Sequence, residues 1–450
     1  MMMLSAVLVV LLSACSGSDY LNAIPARSTA LISLDMQKMA EQGGGDADKA
    51  GMLKEMLHVE DVSECGIDIS QKIYLFESPE GNIGLCAKVK SEGDVEEWIG
   101  KLSKQKLCTP ATERKGCHFS VLKDAWLVGF SDKALLVMGP VVADAQSELQ
   151  RMMTKYLEAD EESGIKASPM FDRLDSISSP MAMVAQAQAL PEKFVAPFTL
   201  GAPKDADASQ IVIAANMQVK NGLLRIQGET FSFNKNINQT LLEAVKTYRP
   251  IKGSYVRSMP DDAVAGIFMN VEGTKFLPML KSNQGLQTML MGINTAIDMD
   301  NILRSVDGDL SIVLPALSEG NLQMMMAAKL AHSKWLADVD YWKKSCPQGT
   351  HIADWGKNAY IYSDGKTSFC FGVSDDLQFY SGSDELSAEY SIKTSNHPIS
   401  SEIQKEIVGQ KMAMVVNLAK SGTGSDAMTA VSSLLTPLFG NISTIVYTLK

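Results

Sequence analysis

The side chains here that could do chemistry are seven cysteines, five histidines and twenty-six methionines. Cys15 follows Leu12-Ser13-Ala14, so small residues lead up to a thiol that could act as an acylation nucleophile. Cys65, Cys86, Cys108, Cys117, Cys346 and Cys370 form no CxxC pair, which disfavours a thiolate zinc site or a dithiol redox motif. In an oxidising compartment Cys108 could bridge Cys117, Cys65 could bridge Cys86, and Cys346 could bridge Cys370. Spacing leaves the connectivity open, and free buried thiols are an equal reading. His58, His118, His332, His351 and His397 are scattered, and no HExxH occurs. His332 falls on a core helix face and reads as packed. Met324-Met325-Met326 would bind copper only through exposed thioethers; on strands and apolar helix faces such residues fill cores.

The remaining motifs fail one by one. Gly365-Lys366-Thr367 would place the first glycine of a phosphate loop at Tyr360, so it reads as a hairpin turn. Asp46-Ala47-Asp48-Lys49-Ala50-Gly51 begins like a calcium loop, but Ala50 and Leu57 stand where ligands are needed. The acids from Glu158 to Glu162 read as a solvated face. There is no GxSxG, and no GxGxxG after a strand. The net charge of −11 is spread along the chain, which argues against nucleic acid. The sequence therefore implies no catalytic, cofactor-binding or metal-binding residue and no cofactor, and reads as a non-enzyme.

What must position these residues is a chain of 450 residues, long enough for two domains. Its organising stretch is Ile24-Pro25 leading into Ala30, Ile32, Leu34 and Asp35. It is echoed by Met259-Pro260 leading into Ala265, Ile267, Met269 and Asn270. Each copy sets a proline before a period-2 apolar run. After the first copy, helical spacing appears at Met36, Met39 and Ala40, then at Leu53, Met56 and Leu57, across Gly43-Gly44-Gly45. Ile73 to Phe76 and Ile83 to Val89 read as a hairpin over Pro79-Glu80-Gly81-Asn82. Val95, Trp98, Ile99 and Leu102 mark one helix face. Strands follow at Phe119 to Leu122, Ala125 to Phe130 and Leu135 to Met138. A polar helix then runs from Asp144 to about Ala159. Met181 to Val184 and Gln210 to Val219 are further strands, and Asn221-Gly222 turns the latter into Leu223 to Phe233.

The second copy repeats the order. Phe276, Leu277 and Leu280, then Leu286, Met289, Leu290 and Ile293, give the helices. Leu310 to Leu314 and Leu322 to Leu330 form a hairpin over Glu319-Gly320-Asn321. His332, Trp335, Leu336 and Val339 take the places of Val95, Trp98, Ile99 and Leu102. Gly372 falls where Gly129 did, and Met412 to Val415 where Met181 to Val184 did. Such ordered matches predict two tandem homologous α+β modules, each a mainly antiparallel sheet with packed helices. The predicted boundaries are 24–250 and 251–450. Ser443 to Leu449 matches Ile211 to Val219, with nothing after it to match Leu223 to Phe233. Either the sequence is truncated or the second sheet lacks its last strand.

Residues 1–14 are too short an apolar run to span a bilayer and have the length of a signal-peptide core. Leu12-Ser13-Ala14-Cys15 resembles a bacterial lipobox, in which cleavage precedes a cysteine that then carries lipid. The basic residues expected ahead of such a core are missing, since the first is Arg27, which implies a start assigned too late. Residues 15–23 would form a lipidated tether that holds a soluble body to a bilayer without spanning it.

The lipobox, the Ile-Pro to Leu-Asp opening, the Ser78-Pro79-Glu80-Gly81-Asn82 hairpin with its following Trp helix, and the duplication together resemble a family of uncharacterised Bacteroidetes envelope lipoproteins. That family is a domain of unknown function and brings no site residues beyond the lipid-bearing Cys15. The resemblance implies a place in the cell envelope, at the outer membrane, on its periplasmic or surface face. With no site motif found, the chain itself reads as a non-catalytic binding or scaffolding protein with a protein or glycan partner. A carrier of lipid or another hydrophobic ligand, and an enzyme with a dispersed site, are the alternatives. Asp175-Ser176-Ile177 also resembles the O-glycosylation site of such bacteria, and otherwise reads as a plain turn.

Overall fold

The computed structural model describes residues 17–42, 54, 59, 61–190, 192–283, 297–315, 317–318, 321–365, 368–418 and 442–449. The protein is α+β, and its sheet structure is mostly antiparallel. It divides into two compact units, one built mainly of residues up to Ala189 and the other mainly of residues from Leu190 onward. Residues 190–250, placed by the sequence in the first module, thus fall largely in the second unit. Among the described residues no helix is long and apolar enough to cross a membrane.

In the first unit the strands are β1 (Ala30–Leu34), β2 (Ile73–Glu77), β3 (Ile83–Lys88), β4 (Thr112–Arg114), β5 (Cys117–Leu122), β6 (Trp126–Phe130), β7 (Ala134–Gly139) and β8 (Met181–Gln186). They pair in the order β8-β1-β2-β3-β7-β6-β5-β4, antiparallel at every step. Ile32 of β1 lies opposite Leu75 on one side and Met183 on the other, as its place in a central strand requires. The helices are α1 (Met36–Gln42), α2 (Glu92–Lys104), α3 (Gln146–Leu157) and α4 (Pro169–Asp175). Ser91 caps α2 by accepting from the Asp94 amide, acids fill the first turn and lysines the last, as the helix dipole favours. The inner face of α2 (Val95, Trp98, Ile99 and Leu102) joins Val128, Phe130 and Leu135 in one buried cluster. Leu85 of β3, in the hairpin that precedes α2, also packs against this cluster.

A hairpin follows, β9 (Val212–Lys220) with β10 (Leu223–Phe231). Its turn residues Asn221 and Gly222 have φ of 52° and 74°. These are the left-handed angles that a two-residue turn between twisted strands demands.

The second unit contains α5 (Glu192–Thr199), α6 (Lys235–Val245), β11 (Ala265–Glu272), α7 (Gly273–Ser282), α8 (Met299–Arg304), β12 (Val306–Leu314) and the two-residue strands β13 (Leu317–Ser318) and β14 (Asn321–Leu322). After these come β15 (Met325–Leu330), α9 (Val339–Ser345), β16 (His351–Gly356), β17 (Ala359–Ser363), β18 (Ser368–Val373), β19 (Gln378–Gly382), α10 (Glu385–Tyr390), α11 (Ser401–Ile407), β20 (Met412–Asn417) and β21 (Thr444–Leu449). Eight of these strands pair in the order β20-β11-β12-β15-β19-β18-β17-β16, again antiparallel throughout. Position by position this is the strand order of the first unit. On the other side of β20 lies β21, antiparallel, and beyond it β10 pairs with β21 in parallel. The place beside β21 is therefore filled by β10, which the sequence assigns to the first module. Leu223 of β10 and Val446 of β21 share a core with Phe268, Val313 and Val415.

Two further expectations are adjusted. The single helix anticipated around Trp335 is a 3-10 turn, Lys334–Asp338, followed by α9, and His332 lies ahead of both. Trp335 and Val339 are buried, while Leu336 is half-buried. Gly129 and Gly372, which match in sequence, each lie under a ring from the paired strand. A Cβ on Gly129 would fall 2.8 Å from Phe119, and one on Gly372 2.5 Å from the Tyr380 ring. Space for the ring makes glycine necessary there. The helical spacings at 53–57 and 286–293, and the Glu319-Gly320 turn, lie outside the described residues, apart from Lys54.

Candidate functional site

Cys15 and the residues before it lie outside the described residues, as do His58, Lys366, Thr367 and the stretch 46–51. The other six cysteines are all free thiols. Cys65 donates to the Val62 carbonyl at 2.9 Å, Cys86 to that of Tyr20 at 3.4 Å and Cys108 to that of Ile99 at 3.6 Å. Burial pushes the Cys65, Cys86 and Cys117 thiols up, and the Cys370 thiol up to about 11, where Glu385 and Asp384 add to the effect. Such thiols stay protonated and make poor nucleophiles.

The histidines occupy unrelated places. His118 stacks on Phe130 with ring centroids 5.0 Å apart, and its Nε2 lies 3.7 Å from Glu92. His332 is half-buried, and His351 and His397 are exposed. Among the described residues no group of three or more His, Cys, Asp or Glu could hold a metal ion. Of Met324-Met325-Met326, Met325 is buried on β15, while Met324 and Met326 are half-buried. The acidic turn is solvated: Asp160 accepts from the Ser163 amide and hydroxyl, and Glu161 pairs with Lys166 at 2.9 Å. Ser176 is exposed, with its hydroxyl donating to the Arg173 carbonyl at 2.7 Å.

Of the polar constellations that do form, the sequence singled out only Asp35 and Asn270, and most lie at or near the repeated stretch. Tyr20 stands as far before Pro25 as Tyr255 stands before Pro260. Both are buried beside short 3-10 turns, and both prolines make isolated β-bridges, to Gly164 and to Pro398. Tyr20 donates to the Lys72 carbonyl at 2.8 Å. The Tyr255 hydroxyl has no hydrogen-bond partner among the described residues. Burial, and then the charge of Asp309, push its ionisation far above the ordinary tyrosine range.

Asn270 closes the second motif. It is fully buried and donates to the Pro250 carbonyl at 2.9 Å while accepting from Arg249 Nε at 3.0 Å. Arg249 continues to the Val271 carbonyl at 2.7 Å and to Asp307 at 2.8 Å. Asp309 is 3% exposed, and its two carboxylate oxygens accept from the Lys252 and Ser254 amides at 2.9 and 2.8 Å. Asp35, the counterpart of Asn270, instead follows its strand and receives the Lys38 amide at 3.1 Å. A third group joins β10 to α11, where Arg225 reaches Glu406 at 3.0 Å and also Glu402. Chemically the Asn270, Arg249 and Asp309 groups hold backbone in place, and the Arg225 group joins side chains of two elements. The equal spacing of Tyr20 and Tyr255 from their prolines was a signal the sequence offered; the partners of Arg249 and Asp309 depend on the fold.

A family model described as "Domain of unknown function (DUF4836)" matches residues 35–410. No curated protein matches the chain. Two solved chains, described as crystal forms IV and III of TP0453, share 10% and 8% identity with it. They cover 45% and 82% of this chain and 76% and 97% of their own, at TM-scores of 0.27 and 0.24. Likeness at that level carries no inference.

Proposed function

Since the chain belongs to the DUF4836 family, whose description assigns no residue a role, we propose its function from its architecture. It is a cell-envelope lipoprotein, tethered through acyl chains on Cys15, whose body is a non-catalytic binding or scaffolding element of two tandem homologous modules. The observation that carries the modular reading is the strand order common to both units, with a buried tyrosine and a bridging proline ahead of the first strand in each. Seven strand pairings repeated in one order support a common origin for the two units. The scaffolding reading is supported by Asn270, Arg249 and Asp309, which are engaged in fixing backbone. The anchor rests on Leu12-Ser13-Ala14-Cys15 and the apolar run before it.

The anchor is tested by expressing the chain in a bacterium able to lipidate it. Radiolabelled palmitate labels the wild type and not Cys15→Ser, and the variant moves from the membrane fraction to the soluble one. A wild type that takes no label refutes lipidation. Scaffolding is tested separately by cross-linking the anchored protein within intact envelopes. A reproducible set of neighbours independent of their abundance supports it, and cross-links that only follow abundance oppose it.

A further inference from the structure

In the first unit the chain is fixed within a few residues of Cys15. Asp19–Ala23 form a 3-10 turn in which Tyr20, Leu21 and Ala23 are buried, and Ile24 after it is fully buried. The Tyr20 carbonyl accepts from Cys86, the Ala26 amide donates to the Ser163 carbonyl at 3.1 Å, and Pro25 bridges to Gly164. Of the stretch 15–23 read as tether, Asp19–Ala23 thus belongs to the folded body. Ser18 is tied as well: its carbonyl accepts from the Leu21 amide at 3.1 Å and its hydroxyl from Lys166 Nζ at 3.3 Å. Glu161 holds the same ammonium at 2.9 Å. Ser18 stands three positions after Cys15, a span of at most about 10–11 Å when fully extended.

Tyr20 meets β3 through Cys86, whereas α2 packs with Leu85, the neighbouring residue of the same strand. Neighbours along a strand point to opposite faces, so the turn and α2 lie on opposite sides of the sheet. Given the lipid anchor at Cys15, on which this rests, we propose that one face of the first unit is its bilayer-facing surface. It is the face bearing Ser18, Lys166 and the turn from Asp160 to Ser163, held at the phospholipid headgroups by the shortness of the spacer. An acylated Cys15 sits at headgroup level, so Ser18 lies no farther away than the spacer reaches. The charged groups placed there, Asp19, Asp160, Glu161 and Glu162 against Lys166 and Arg27, carry more acid than base. Charge therefore does not draw this face to anionic lipid; length holds it there. The outer side of α2, where Glu96, Glu97 and Lys104 are exposed, is separated from it by sheet and helix, on the order of 20 Å.

The test uses the full lipidated chain, purified from the expressing bacterium and placed in phosphatidylcholine vesicles. These include a phosphatidylethanolamine with a photoactivated diazirine on its headgroup, and tryptic peptides are mapped after illumination. Residues 156–166 and 91–101 give comparable peptides with four acids each, the first beside Ser18 and the second on α2. Cross-linking should favour 156–166 about tenfold. An insert of about twenty Gly and Ser residues between Ser16 and Gly17, a coil of roughly 25 Å, should bring the ratio close to one. Equal labelling of the two peptides in a wild type that carries palmitate overturns the proposal and leaves the anchor standing. A ratio that survives the insert overturns the spacer as its cause. A wild type without palmitate refutes the anchor, and the bilayer-facing surface with it.

Discussion

Trp335 and Trp342 lie nearly parallel, with ring centroids 5.8 Å apart and planes 13° from each other, and Phe379 closes on Trp335 at 6.4 Å. Trp335 is 1% exposed, and its indole N–H has no hydrogen-bond partner among the described residues. Its contribution is therefore packing. Trp335→Ala should cost about 3–5 kcal/mol in chemical unfolding, and Trp335→Phe clearly less, since the lost N–H had made no bond. Trp98→Ala should cost a similar amount, and the two losses should add, because the rings sit in separate cores. Equal losses for Trp335→Phe and Trp335→Ala would refute the packing account.

Asp309→Ala should leave the Lys252 and Ser254 amides without their acceptor inside a buried loop. The expected loss is about 2–4 kcal/mol. Hydrogen exchange at residues 252–254 should accelerate more than exchange in the adjoining strand β11. A uniform acceleration across the unit would mean that the carboxylate does not act locally.

The acid titration of Glu77 supplies a pH test. Burial raises its carboxyl above the ordinary glutamate value of 4.5, against the hydrogen bond from Thr29 at 2.7 Å. The folded state thus holds the proton more tightly than the unfolded chain. That contribution to stability is complete below about pH 4.5 and is lost as pH rises through the raised value. Glu77→Gln keeps an acceptor for Thr29 and carries no charge. It should raise Tm at pH 7, with the gain shrinking to nothing below about pH 4.5. A gain independent of pH would exclude the buried charge as its cause.

How much of this was legible in the sequence depends on how local each feature is. The alternation of Ala30, Ile32 and Leu34 and the turn residues Asn221-Gly222 act over a few residues, and both appear where they were read. The strands β4 and β16 were missed, because Thr112-Glu113-Arg114 is wholly exposed and His351 to Gly356 mostly so. Edge strands of this kind lack the apolar alternation that betrays a buried one. The seat of β10 could not be read at all. Nothing in Leu223 to Phe231 indicates which distant strand it will meet. At the candidate site, Asn270 stood out as the end of a motif, while its partner Arg249 became visible only through the fold.

The thiols give the simplest check. Denatured without reductant, the protein should bind alkylator at Cys65, Cys86, Cys108, Cys117, Cys346 and Cys370. Under native conditions the buried Cys65, Cys86, Cys117 and Cys370 should lag behind Cys108 and Cys346. Peptide mapping in which any of the six reacts only after reduction would establish a bridge.

The separation between β10 and β21 also sets a timetable for synthesis. Gly222 and Ser443, which clip the two strands together, are 221 residues apart. At roughly 5–20 residues per second, a ribosome leaves β10 waiting on the order of 10–40 s for its partner. During that interval neighbouring chains on one message emerge side by side, each displaying the same unsatisfied edge. The cationic Arg225 at its middle, not yet matched by Glu402 and Glu406, is then a like-charge barrier between nascent copies. The residue that fastens the finished sheet thus also keeps unfinished sheets apart.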